Sequence, residues 1–290
     1  MLTAYLCCPS YPLADQTITQ ETVVTAGRLC QALGWRLVVS PLLDLHPGPG
    51  VWLPAAQRTA DLRRALGHEV VIAARGGYGA IELADALLAH AGPWPVIVGY
   101  SDVTILHAAA WRAGAPAGVY GFMPAVTGGP LAFDSAVQLL SGGGCALDLA
   151  CGGEVLRAGS ASGRLFPACL RVLAGLVGTP LMPDLSSAIL AIEDIDERPY
   201  RLDRDLNQLH LAGALRGVSG LVGGRFRCAR PDNDLGPEPR DILRAWAERL
   251  GVPAVSGVPF GHERDPISLP VGAMAELRVD GADWSLATSP

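Results

Sequence analysis

Lysine is absent from this sequence: all 22 residues in the combined lysine and arginine count are arginine. The absence removes three chemistries together: a P-loop lysine on nucleotide phosphates, a Schiff-base lysine and a serine–lysine hydrolytic pair. A serine nucleophile would therefore need histidine as its base, and the chain has 6 histidines. Metal-type cysteine spacing is missing too. The 7 cysteines (Cys7, Cys8, Cys30, Cys145, Cys151, Cys169 and Cys228) are odd in number and scattered, with no C-x-x-C pair. That pattern argues against a zinc site and a disulfide framework, and fits a reducing compartment. The stretch Met1-Leu2-Thr3-Ala4-Tyr5-Leu6 lacks a basic n-region and soon meets Pro9 and Pro12, so it reads as a first strand rather than a signal peptide. No apolar run is long and unbroken enough to span a membrane. Net charge is -6, and short basic runs such as Arg63-Arg64 read as solvated helix faces, which argues against nucleic acid as a main partner. A cytoplasmic protein is expected, with no membrane association.

What is present is apolar material. Half of the 290 residues are hydrophobic and only 17% are charged, the opposite of a disordered composition and enough for one large or two moderate domains. Buried-strand runs at 2–8, 36–39, 69–74 and 95–99 alternate with helical spacing at 20–33, 55–66 and 81–90. Such alternation predicts a parallel sheet flanked by helices. A Gly-rich stretch around Ser141-Gly142-Gly143-Gly144 and Gly152-Gly153 then marks a boundary. Beyond it the pattern resumes, with helices near 170–177, 203–215 and 239–250 and strands at 188–192 and 219–222. A hairpin closes the chain around Asp280-Gly281. The expected architecture is α/β with two domains: 1–142, a linker or crossover at 143–163, and a smaller domain at 164–290, with a cleft between.

Four segments carry possible chemistry. In Val98-Gly99-Tyr100-Ser101-Asp102-Val103-Thr104 a serine sits where an apolar strand gives way to a helix. The commoner explanation of such a serine is an N-cap. The other is a nucleophile elbow, whose following N–H helps stabilise an oxyanion, although Val103 stands where that elbow has glycine. Arg75-Gly76-Gly77-Tyr78-Gly79 follows a buried strand and lets backbone approach a ligand. A dinucleotide fingerprint fails there, because Glu82 occupies the place of the third glycine. Both loops lie at strand ends, where α/β sheets bind ligands. Glu193-Asp194-Ile195-Asp196-Glu197 follows the strand at 188–192 and reads as a solvated acidic turn, an acid that orients a histidine, or a metal site. Arg198, Arg201 and Arg204 weigh against metal by offsetting the charge. Pro259-Phe260-Gly261-His262-Glu263-Arg264 holds the histidine whose loop context best suits a base. His107, in the helix after Ser101, is expected to pack against the sheet.

Taken together, these segments resemble the LD-carboxypeptidase family of serine peptidases, in order and over nearly the whole chain. Cys8-Pro9-Ser10 resembles its early strand-end turn. Arg75–Gly79 and Gly99–Thr104 resemble its two N-terminal signatures, Glu193-Asp194 through Arg204 with Gly224-Arg225-Phe226 its central block, and Gly261-His262 with Leu269-Pro270-Val271-Gly272 its C-terminal block. The resemblance implies a flavodoxin- or class I amidotransferase-like N-terminal domain carrying the nucleophile, Ser101. A C-terminal domain would supply the base, His262, and the acid, Glu193. It implies an oxyanion hole from the N–H groups of Asp102 and of the pair Gly76 and Gly77. It also implies removal of a terminal D-alanine from cytoplasmic murein tetrapeptides by a homodimer that needs no cofactor and no metal. Two segments depart from the family pattern: Val119-Tyr120-Gly121, where histidine usually precedes the glycine, and Phe166-Pro167-Ala168-Cys169-Leu170, where a Gly-Gly-Asn-Leu turn is expected. Both bear on substrate recognition more than on reaction class. The alternatives are a related hydrolase of microcin C-like aminoacyl-nucleotide conjugates and a catalytically silent peptide-binding homologue.

Overall fold

Continuous apolar runs four or five residues long form the centre of each sheet, as expected for strands covered on both faces. A computed structural model of the chain describes residues 1–48, 51–115, 118–127, 129–229 and 236–289. Val70–Ala73 and Ile189–Glu193 are buried at every position.

The first sheet is built from β1 (Thr3–Cys7), β2 (Arg36–Val39), β3 (Val70–Ala73), β4 (Val96–Val98) and β5 (Gly118–Tyr120). Between them run helices α1 (Gln16–Leu33), α2 (Ala55–Ala65), α3 (Ala84–Leu88) and α4 (Thr104–Arg112), with α5 (Pro130–Leu140) following β5. Helix α1 starts earlier than its apolar spacing predicts, because the Asp15 carboxylate caps it by accepting from the Ile18 N–H at 2.9 Å. Strands β1 to β5 pair in parallel. Their C-terminal ends bring Cys8-Pro9-Ser10, Arg75–Gly79 and Gly99–Ser101 to one edge.

Strands β6 (Ala146–Asp148), β7 (Glu154–Arg157), β8 (Gly159–Cys169), β9 (Ile189–Glu193), β10 (Gly220–Gly224) and β11 (Ala254–Val258) belong to the second sheet. Helices α6 (Leu170–Ala174), α7 (Pro199–Leu211) and α8 (Pro239–Leu250) accompany them. Helix α7 begins at Pro199, whose fixed φ and missing N–H suit a first turn, four residues ahead of the sequence expectation. Strand β12 (Leu269–Val271) returns to the first sheet, antiparallel to β5, with Leu269 opposite Tyr120. The hairpin β13 (Met274–Asp280) and β14 (Asp283–Thr288) then completes the second sheet, ordered β6-β14-β13-β8-β9-β10-β11-β7. Residues 143–163 carry more than a connection: β6, β7 and the start of β8 all pair within that sheet. Among the described residues no helix is long and apolar enough to cross a membrane.

Phe166 and Pro167 lie inside β8, opposite Leu190 and Ala191 of β9. Phe166 is fully buried, with its ring 5.0 Å from and edge-on to Trp111 of α4. That departure from the family pattern is therefore core between β8 and α4.

Candidate active site

Ser101 sits in a backbone conformation that L-residues avoid, with φ 65°. Strand β4 ends at Val98, Gly99 takes φ 148°, and a short 3-10 turn over Ser101–Val103 leads into α4. An N-cap role fails on geometry. Tyr100 precedes the turn, and the Ser101 Oγ caps no N–H; its partner among the described residues is His262 Nε2 at 3.0 Å. A left-handed conformation costs about 1–2 kcal/mol for a residue with a Cβ. Such strain persists where surrounding structure over-determines it, which is common at functional turns.

Glu193, the last residue of β9, is entirely buried, and His262 lies in the loop after β11 with 13% of its side chain exposed. The His262 Nδ1 lies 2.7 Å from Glu193 Oε2, and the His262 backbone N–H donates to the same oxygen at 3.2 Å. A carboxylate has no proton to give, so Nδ1 carries the hydrogen and Nε2 is left to accept from the Ser101 hydroxyl. Gly261 makes the close approach possible. It takes φ 95°, and a Cβ there would fall 2.3 Å from Glu193 Cγ, inside the carboxylate side chain. Burial works against the charged form of His262, but the hydrogen bond and charge of Glu193 outweigh it and hold the imidazole above its usual range. On the other side of the acid, the Tyr120 hydroxyl donates to Glu193 Oε1 at 2.7 Å.

The rest of the acidic run disperses. Asp194 accepts from the Arg171 and Ile195 N–H groups, and burial followed by the charge of Glu193 pushes its carboxyl up to about 7. Glu197 pairs with Arg201 at 2.9 Å. These carboxylates do not converge on one point with Glu193. His107, as expected, is buried with Nε2 2.8 Å from the Gly99 carbonyl oxygen. Burial, only partly offset by that bond, lowers its pKa to about 4, so it is neutral packing under the turn.

The glycine loop lies against the serine. A Cβ on Gly76 would stand 3.1 Å from Ser101 Cβ and 3.3 Å from its Oγ. Asp102 ties the two loops together: its Oδ2 accepts from the Ser10 hydroxyl at 2.6 Å and from the Ala80 N–H at 2.9 Å. Burial raises the Asp102 carboxyl, and those two bonds pull against it. Arg58, buried beneath, donates to the carbonyls of Pro9 and Gly79 at 2.8 Å each and pairs with Glu82. The N–H groups of Gly76, Gly77 and Asp102 have no hydrogen-bond partner among the described residues; of the three, Gly76 lies against the Ser101 side chain and Asp102 follows it in the chain.

Ser101, Glu193, His262, Gly76, Gly77 and Asp102 are thus gathered at one place. Sequence reasoning missed the position of Tyr120. It lies directly behind Glu193 rather than on a recognition surface, and its oxygen also receives the Ser101 N–H at 3.4 Å. Only its place at the end of a short apolar strand, level with the other strand-end loops, hinted at this.

An imidazole oriented by a buried acid, with its bare nitrogen turned to a hydroxyl, is how serine hydrolases activate a nucleophile. This α/β fold is of that class, assembled from both sheets. A model of the LD-carboxypeptidase N-terminal domain matches residues 5–121, and one of the C-terminal domain matches residues 162–277. A carboxypeptidase-type protein of Streptomyces coelicolor is 36% identical over 271 residues, covering 87% of this chain and 85% of its own. The murein tetrapeptide carboxypeptidase of Pseudomonas aeruginosa is 31% identical over 252 residues, 79% of either chain. Among solved structures, muramoyltetrapeptide carboxypeptidase from Oxalobacter formigenes matches with a TM-score of 0.83 at 26% identity, covering 99% of both chains. The chain belongs to the LD-carboxypeptidase family of serine peptidases.

Proposed function

We propose that this carboxypeptidase removes the terminal D-alanine from murein tetrapeptides, cleaving the amide between an L-configured centre and the D-residue through an acyl-enzyme on Ser101. The observation that carries the reading is the linked pair of contacts, Ser101 Oγ to His262 Nε2 at 3.0 Å and His262 Nδ1 to Glu193 Oε2 at 2.7 Å. Three separate segments of chain meet there.

In the forward step the Ser101 oxygen attacks the scissile carbonyl while its proton passes to His262 Nε2. The imidazolium so formed faces the buried Glu193 carboxylate, which stabilises it and keeps its orientation. Negative charge developing on the carbonyl oxygen is met by N–H donors drawn from Asp102, Gly76 and Gly77. Such donors act best when they are not already engaged. Collapse of the tetrahedral species expels the D-alanine amine, which takes the proton from His262. A water then attacks the acyl carbonyl as its proton passes to the same nitrogen, and the bond to the Ser101 oxygen breaks as His262 returns that proton to it, releasing the acyl group and restoring Ser101. Murein tetrapeptide as substrate is supported by the names of the relatives in Pseudomonas aeruginosa and Oxalobacter formigenes. A cytoplasmic homodimer is part of the same reading.

The test is D-alanine release from a muramoyl tetrapeptide, with wild type and Ser101→Ala assayed together. Release by wild type alone supports both substrate and nucleophile. Release by both removes Ser101 from the mechanism. Release by neither removes the substrate, and aminoacyl sulfamoyl adenylates become the next amides to try.

A further inference from the structure

We propose that Tyr120 is the positioning residue of this site: its phenol holds the far oxygen of Glu193 and thereby sets how readily the Glu193–His262 pair takes up a proton. This rests on the reading above for what the pair does to Ser101, but not for the pair's own titration.

The two Glu193 oxygens are occupied unequally. Oε2 faces His262 Nδ1 at 2.7 Å and the His262 N–H at 3.2 Å, whereas Oε1 has one partner among the described residues, the Tyr120 hydroxyl at 2.7 Å. Glu193 is 0% exposed, so no bulk water replaces that donor. A buried carboxylate oxygen without a donor is costly, and a donated hydrogen bond draws charge away from the opposite oxygen. Tyr120 is itself fully buried, its ring 6.0 Å from that of Tyr100 and 5.9 Å from that of His107, so the hydroxyl has little freedom to turn elsewhere. Burial, followed by the charge of Glu193, also keeps the phenol protonated and therefore a donor.

The same oxygen receives the Ser101 N–H at 3.4 Å. One atom therefore touches both the acid of the site and the backbone of the residue bearing the hydroxyl. Strand β5 places it there, between β4, which leads to Ser101, and β12.

Other groups face the pair. Asp194 adjoins Glu193 on β9, and Cys169 of β8 lies opposite Glu193 in register. The Tyr100 ring is 5.0 Å from that of His262. Arg227 Nη1 donates to the His262 carbonyl at 3.4 Å, and Glu263 beside His262 lies 3.7 Å from Arg225. None of these has a hydrogen bond to Glu193 Oε1, so removing the phenolic oxygen takes away the donor to that oxygen, together with the longer Ser101 N–H contact, which does not touch the Glu193–His262 pair.

The sign follows from that contact. Without the Tyr120 donor, charge concentrates on the carboxylate and the pair binds its proton more tightly, whichever partner carries it. The experiment is an NMR pH titration of His262, with isotope-labelled histidine, in wild type, in Tyr120→Phe and in protein with a ring-fluorinated tyrosine at position 120. The Phe variant raises the titration midpoint by about one pH unit, and the acid limb of kcat/KM moves with it. Its kcat falls by about tenfold while KM changes little. The fluorinated ring is close in size and a stronger donor, so it moves the midpoint the opposite way. An unchanged midpoint in folded Tyr120→Phe, or shifts of the same sign in both proteins, overturns the proposal. If the Phe variant does not fold, the fluorinated protein decides alone: a lowered midpoint supports the proposal and any other result refutes it. No substrate enters the titration, so a failure to release D-alanine leaves this test intact.

Discussion

The positive φ of Ser101 invites a comparison between two variants, Ser101→Ala and Ser101→Gly. Both lose the hydroxyl and its 3.0 Å contact with His262, so that loss cancels between them. What remains is the Cβ at φ 65°. Alanine keeps the left-handed penalty of about 1–2 kcal/mol, and glycine does not. Glycine in turn loses more backbone freedom on folding, by about 0.5–1 kcal/mol. The net expectation is that Ser101→Gly is the more stable by about 1 kcal/mol, a rise of about 2 °C in Tm for a protein of this size. Differential scanning calorimetry on the two variants, in one buffer and at one protein concentration, reads the difference. A Ser101→Gly protein no more stable than Ser101→Ala would refute the idea that the turn stores strain at Ser101. The direction also predicts that the site is held at some cost to the fold, a recurrent trade at functional positions.

Three further outcomes follow from the same geometry. His262→Ala lowers kcat by several orders of magnitude with Tm nearly unchanged, and Glu193→Gln lowers it less, because an orienting acid contributes less than a base; steady-state kinetics on D-alanine release gives the ranking. Gly76→Ala folds, since its φ is ordinary, but its methyl stands 3.1 Å from Ser101 Cβ, so kcat drops by about tenfold or more while circular dichroism is unchanged. Because Glu193 holds the His262 imidazole above its usual 6.5, protonated histidine persists to higher pH, and kcat/KM falls as pH drops through an apparent pKa above 6.5. An acid limb below that value would mean that burial, not the acid, dominates the imidazole.

The parallel core was legible because its strands are short and apolar and its loops are glycine-marked. The run Val70–Ala73 has no polar residue to confuse its period, and the strand-end motifs followed directly from it. The candidate site was readable for a related reason: with lysine absent and histidines few, a partner for the Ser101 hydroxyl could only come from a small set, and His262 is the one that meets it. Other features left no local trace. The strain at Ser101 depends on φ, which a Gly-Tyr-Ser-Asp string does not encode when the same string also suits an N-cap. Strands β6 and β7, of three and four residues, are too short to show periodicity. Tyr120 was visible as a departure from the family pattern, but its contact with Glu193 joins residues 73 positions apart. Phe166 reads as a lost turn in sequence and as a core ring in space, because β8 runs without interruption through Cys169.

The return of β12 to the first sheet has a consequence for how the chain is made. β5 would be an open edge until its neighbour arrives, and that neighbour is encoded roughly 150 residues later, an interval of about 7–30 seconds at usual synthesis rates. An unpaired strand edge is a template for wrong partners. A nascent chain therefore waits with Tyr120 on an unfinished border and Ser101 without its His262 partner. The stretch from His262 to Val271 both closes that border and brings the imidazole to Ser101 and Glu193, so completion of the first sheet and assembly of these contacts arrive together.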